Sequence, residues 1–155
     1  MRIKSNHILP AWLILFTVGH FSHDLLTALL TPLLPFIRDD FGLDYTLTGL
    51  LLSVFSITYG LSQLPSGWLA DRLGPRVLMA ASICGVAVGG VIIGLSPNYI
   101  LLLIGLGLMG ILGSAYHPAA VPLVASTMDF TKRGRAIGIH AIGGNASYVI
   151  GPFFA

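Results

Sequence analysis

Five long apolar stretches, separated by short polar connections, account for most of this chain: Pro10 to Phe36, Thr46 to Ala70, Pro75 to Leu95, Tyr99 to Met128 and Ala136 to Ala155. Each is near or above the roughly 20 residues with which an α-helix crosses a bilayer core. Among 155 residues there are 8 Lys and Arg and 6 Asp and Glu, and the mean hydropathy is +0.87. A soluble domain carries about 25% charged residues, so that class is excluded. The stretches lack the two-residue alternation of outer-membrane strands, and backbone in lipid must satisfy its own hydrogen bonds. The sequence therefore predicts an all-α polytopic membrane protein with about five transmembrane helices. Its predicted connections are Arg38 to Tyr45, Asp71 to Gly74, Ser96 to Asn98 and Asp129 to Arg135.

Cationic residues orient such a chain, because cytoplasmic loops retain Lys and Arg. Arg2 and Lys4 precede the first stretch, Arg72 and Arg76 flank the second connection, and Lys132, Arg133 and Arg135 fill the fourth. Arg38 alone falls on the opposite side. The expectation is a cytoplasmic N-terminus and a fifth span heading outward at Ala155, so that the chain reads as unfinished. The first stretch continues apolar beyond Gly19-His20 and Ser22-His23-Asp24, which favours a retained span over a cleaved signal. The dispersed basic residues leave no stripe for nucleic acid. Lone Cys84 forms no disulfide framework.

Polar residues inside the stretches carry the functional signal. An ionisable group near the membrane centre costs at least ~2.5–3.5 kcal/mol on insertion scales, so Asp24 demands a reason. His20, Asp24, Thr27 and Thr31 recur at helical spacing, with His23 adjacent, forming one polar stripe. Such a stripe serves either as a proton or substrate site or as interhelical hydrogen bonding. Ser56, Tyr59, Gln63 and Ser66 form a second stripe, open to the same two readings. In the fourth stretch Tyr116-His117-Pro118, with Pro122, predicts a kinked helix around an imidazole. His140 reads as structural or solvated, and Asn145 as a cavity residue. His20, His23 and Asp24 share a face that a metal would need to complete with further ligands, so no metal site and no cofactor are expected. No nucleophile–base pair is visible, so an enzyme is not expected.

Between the second and third stretches stand Gly67, Leu69, Asp71, Arg72 and Gly74. Glycines permit a tight turn, and Pro75 suits the first turn of a following helix. This segment resembles the signature cytoplasmic loop of the major facilitator superfamily, G-x-L-a-D-r-x-G-r, with Pro75 departing at the last basic position. In the fifth stretch Gly138, Ser147 and Gly151-Pro152 resemble that family's antiporter signature, G-x8-G-x3-G-P, with Ser147 replacing a glycine. Small residues allow close helix approach there, and Pro152 bends the helix.

A finer resemblance, to the fosmidomycin-resistance-like branch, rests on His20-Phe21 with Asp24, Gly113-Ser114 with His117-Pro118, and Gly143-Gly144-Asn145 before Gly151-Pro152. The resemblance implies most of a six-helix N-terminal half of a twelve-helix transporter. It places spans one, two, four and five around a cavity and span three outside. It also implies a missing C-terminal half as partner, a small-molecule substrate, protons, a lipid bilayer and inner-membrane placement. The family's usual arginine in span four is absent; Leu106 or Met109 stands there. Proton-coupled efflux is the implied activity; with that arginine absent, coupling is expected to run through Asp24 and the histidines, and His20, His23, Asp24, Tyr59, Gln63, His117 and Asn145 are the expected proton-coupling and cavity residues. The alternatives are a proton-coupled symporter and a non-transporting helical membrane protein.

Overall fold

The computed structural model describes residues 10–155, so the readings placed on Arg2 and Lys4 lie outside the described residues. The chain is nearly all helical. In order it forms α1 (Ala11–Ala28), α2 (Leu30–Phe41), α3 (Tyr45–Leu73), α4 (Pro75–Gly94), α5 (Tyr99–Gly113), α6 (Tyr116–Ser126) and α7 (Arg133–Ile150). Short 3₁₀ turns lie at Phe130–Lys132 and Gly151–Phe154.

Among the described residues four helical runs are long and apolar enough to cross a membrane: Ala11–Phe41, Tyr45–Leu73, Pro75–Gly94 and Tyr99–Ser126. The fifth expected span, 136–155, differs. Its helix α7 covers 18 residues, includes Arg133, Arg135, His140 and Asn145, and ends at Ile150. Pro152, which has no N–H to donate, lies in the 3₁₀ turn that follows.

Two runs break where proline dictates. Pro32 cannot donate to the Ala28 carbonyl, and the first run is interrupted at Leu29 between α1 and α2. Pro118 likewise frees the Ser114 carbonyl, and the fourth run is interrupted at Ser114–Ala115. Two of the expected polar connections are shorter than the sequence implies. Arg38, Asp39 and Asp40 belong to the last turn of α2, where Arg38 pairs with Asp39 at 2.8 Å. The helix stops at Gly42, whose φ of 61° is the left-handed cap conformation. Asp71 and Arg72 lie on the last turn of α3, and Gly74 alone separates α3 from α4. Asp44 and Asn98 cap α3 and α5 by accepting from the N–H groups of Leu47 and Leu101.

Tight turns alternate between the two ends of the bundle. Tyr99 donates its hydroxyl to the Leu47 carbonyl at 2.9 Å, so the starts of α3 and α5 lie together at one end. There Leu30, Leu34, Leu51, Leu102 and Leu106 form an apolar cluster. Leu13, Val124 and Ala136 form another where α1 begins and α6 gives way to α7, and Ala70, Leu78, Met79 and Ala119 pack nearby around Tyr116. Between these clusters lie the buried polar side chains: His20, His23, Asp24, Ser66, Ser82, Ser114, His140 and Ser147. The most extensive helix contacts are α1 with α7, α4 with α5 and α3 with α5. Small residues set their closeness. A Cβ added at Gly143 would collide with the Thr17 carbonyl, and one at Gly110 with Thr58 and the Phe55 carbonyl.

Candidate functional site

The polar layer is organised around Asp24, 4% exposed in the middle of the first run. Its imidazole neighbours arrive from two helices, α1 and α6. His20, one turn earlier on α1, places Nε2 3.1 Å from Asp24 Oδ2. His23 places Nδ1 2.8 Å from Oδ1. From α6, His117 places Nε2 3.6 Å from Oδ1 and keeps about a third of its side chain exposed. The proline-induced break before α6 turns the start of that helix, and with it Tyr116 and His117, toward α1.

Two of the three rings, His20 and His23, are held from behind. His20 Nδ1 lies 2.9 Å from the carbonyl oxygen of His140. A carbonyl only accepts, so Nδ1 carries hydrogen. His23 Nε2 lies 3.1 Å from the Gly113 carbonyl and 3.4 Å from Ser82 Oγ. Ser82 donates to the Leu112 and Gly113 carbonyls, each at 2.9 Å. Tyr116 is fully buried, stacks on His23 at 4.5 Å and on His20 at 5.3 Å, and directs its hydroxyl to the Phe16 carbonyl at 3.3 Å.

The close α1–α7 contact brings His140 into the same stack, 4.4 Å from His20 and 2% exposed. The solvated alternative for His140 is therefore corrected: Gly143 and Gly144 let α7 approach α1 so closely that its ring is sealed. Sequence periodicity does not single out Ser82, and it marks Tyr116 only as part of a kink. A lone serine in an otherwise apolar run was the available signal for the first.

The second stripe divides. Tyr59 is half-buried, its ring 6.3 Å from that of His117 and close to Gly113. Ser66 is buried and bonds Ser114 at 3.0 Å, an interhelical tie. Ser56 is exposed, and Gln63 is half-buried on the same helix. Thr27 is half-buried and donates to the Asp24 carbonyl, whereas Thr31 is exposed beyond the break at Leu29. Asn145 is exposed on α7.

Of the loop residues, Gly67 and Leu69 are half-buried in α3, and Asp71 is exposed. Arg72 lies 4.1 Å over the Trp68 ring, and Gly74 adopts φ 88°. On α7, Ser147 is fully buried, and Gly151 faces Ala28 across 3.5 Å of added-Cβ distance. Gly138 faces open space, and Pro152 is exposed. The metal-competent trio that the fold assembles is His20, Asp24 and His117, with donor atoms within 4.8 Å of one another; His23, the third member of the sequence candidate, is occupied on both ring nitrogens. An apolar cleft of about 440 Å³, lined by Leu26, Leu33, Ile37, Ala87 and Val91, lies apart from this layer and is lined by no polar side chain.

Comparison with known proteins agrees with this architecture. The chain is 35% identical over 116 residues to the probable L-galactonate transporter of Escherichia coli K12, covering 74% of this chain and 24% of that protein. It is 31% identical over 152 residues to the multidrug resistance protein MdtG of Escherichia fergusonii, covering 95% of this chain and 36% of that protein. MdtG of Proteus mirabilis is 34% identical over 130 residues, covering 81% and 32%. The chain thus spans about a quarter to a third of the length of these relatives. The family model of the Major Facilitator Superfamily matches residues 16–155, and with four membrane-length helices around a buried carboxylate the chain belongs to that superfamily.

Proposed function

We propose that the chain forms the N-terminal part of a proton-coupled efflux transporter, in the fosmidomycin-resistance-like branch, working by alternating access. The single observation that carries this reading is Asp24, a buried carboxylate in a membrane-length helix, with imidazoles on both sides of it. A buried carboxylate in such a place is a functional site by default. Proton occupancy there differs in free energy between inward-open and outward-open arrangements, and that difference biases the equilibrium. In this reading a second half faces the chain, the substrate binds near the midplane between halves, and Gly67, Leu69, Asp71, Arg72 and Gly74 gate one end. The N-terminus is cytoplasmic and the protein sits in the inner membrane. Its partners are protons, a small molecule and lipid.

Relatives named for multidrug resistance support export. The relative named for L-galactonate transport favours a second reading, proton-driven uptake of a sugar acid. Cells expressing the intact polypeptide separate the two. Exclusion of ethidium that collapses with the proton gradient supports efflux; gradient-driven accumulation of L-galactonate supports symport. Indifference of both fluxes to the gradient overturns proton coupling.

A further inference from the structure

Two features of the Asp24 cluster suit a metal ion as well as a proton. The first is His20 Nε2, which is buried without a hydrogen-bond partner although Asp24 Oδ2 is only 3.1 Å away. Because Nδ1 of the same ring is committed as donor to the His140 carbonyl, Nε2 of the neutral ring presents its lone pair to the carboxylate. Two electron-rich atoms at that separation are bridged by a positive centre, either a proton or a metal ion. A ring fixed by a backbone carbonyl on one nitrogen, with the other free, is the usual support for a metal-bound histidine.

The second feature is Gly144. A Cβ there would stand 2.6 Å from His20 Nε2 and 2.7 Å from Asp24 Oδ2, so glycine alone leaves this donor edge uncovered. The two carboxylate oxygens face one imidazole each, at 3.1 Å and 3.6 Å. Those spacings straddle the edge of about 3.3 Å that a tetrahedral zinc site acquires from bond lengths of ~2.0–2.1 Å. His117, part-exposed, stands at the remaining edge.

We propose that His20, Asp24 and His117 form a binding site for a divalent cation of the zinc class. His23, bonded to Oδ1 at 2.8 Å, orients the carboxylate, and three protein ligands leave a fourth coordination position open on the exposed side of His117. Two imidazoles and one carboxylate suit zinc, cobalt and nickel better than calcium or magnesium, which take oxygen ligands.

Cobalt(II) chloride is the probe, added to the intact polypeptide purified in detergent without a polyhistidine tag. The expected result is a visible ligand-field spectrum of low-symmetry cobalt that saturates at one ion per chain and bleaches when zinc is added. Asp24→Asn and His117→Gln are expected to lower affinity tenfold or more. His140→Gln, which keeps the backbone carbonyl behind His20, is expected to retain it. Where a variant fails to fold, X-ray absorption of the zinc-loaded wild-type chain decides: two imidazole ligands support the site, and none overturns it. An unchanged cobalt spectrum in a folded His117→Gln variant, or no spectrum in the wild type, also overturns it. Gradient-driven transport in metal-free buffer without cobalt binding removes the metal site and leaves proton coupling standing. Cobalt binding without such transport does the reverse.

Discussion

His23 reaches across the bundle to place Nε2 3.1 Å from the carbonyl oxygen of Gly113, the last residue of α5. The other nitrogen of the ring meets Asp24 Oδ1 at 2.8 Å. Since the carbonyl only accepts, Nε2 carries hydrogen, and the Nδ1–Oδ1 contact then requires a proton of its own. The position of Asp24 is thereby tied to the helix break at Ser114–Ala115, and Ser82 extends the tie to α4. The carboxylate is thus connected through one ring to the break in the fourth run.

Replacing Asp24 with Asn removes the charge and the titration while keeping the shape. Gradient-driven transport by the intact polypeptide is expected to fall to the background of cells lacking it, with membrane insertion and amount unchanged. Flux measured under an imposed pH gradient, beside a blot of the membrane fraction, checks this. Undiminished flux would show that coupling lies elsewhere.

His23→Ala is expected to be the most damaging of the histidine truncations for stability. It strips the Gly113 carbonyl and Asp24 Oδ1 of a buried partner, and each such loss costs about 1–3 kcal/mol. Ser82→Ala removes one neutral donor and is expected to cost about 1 kcal/mol. Thermal unfolding in detergent ranks the two; a larger loss from Ser82→Ala would place the tie on α4 instead of on His23.

Two glycines of the same helix should respond in opposite directions. A Cβ at Gly143 runs into the Thr17 carbonyl, so Gly143→Ala must push α7 off α1, with overpacking costs of about 1–3 kcal/mol. Gly138 faces open space, so Gly138→Ala gains helix propensity of up to about 1 kcal/mol. Melting temperatures of the two variants are expected to fall and rise respectively.

Much of the helical plan was legible because apolar length and proline position act locally. Pro118 announced a kink, and the fold breaks four residues before it, at the carbonyl left without a donor. Asp24 stood out because a carboxylate in an apolar run has few reasons to be there. What periodicity could not supply was which helix supplies the second wall. His140 looked peripheral by its place in the sequence, yet Gly143 and Gly144 bring it onto His20. A Cβ added at Gly138, named with the antiporter-like spacing, would meet no neighbouring helix within 4 Å among the described residues. Ser82 was invisible because a single hydroxyl makes no stripe. The connections at Arg38 and Asp71 are shorter than charge alone implies, because the cations Arg38 and Arg72 suit the last turn of a helix.

The turn between α3 and α4 allows structure and cycling to be separated. Gly74 sits at φ 88° and ψ 140°, a region nearly closed to residues with a Cβ, so Gly74→Ala is expected to cost about 1–3 kcal/mol. Asp71, three residues earlier, is exposed and forms no ion pair among the described residues, so Asp71→Asn is expected to leave the melting temperature unchanged. If this end of the bundle gates transport, Asp71→Asn nonetheless slows flux in the intact polypeptide, because the carboxylate acts in a contact formed only in one state of the cycle. Unfolding and flux measured on both variants decide the matter: a stable Asp71→Asn variant with reduced flux assigns the carboxylate to the cycle, and one with full flux assigns the whole segment to turn geometry.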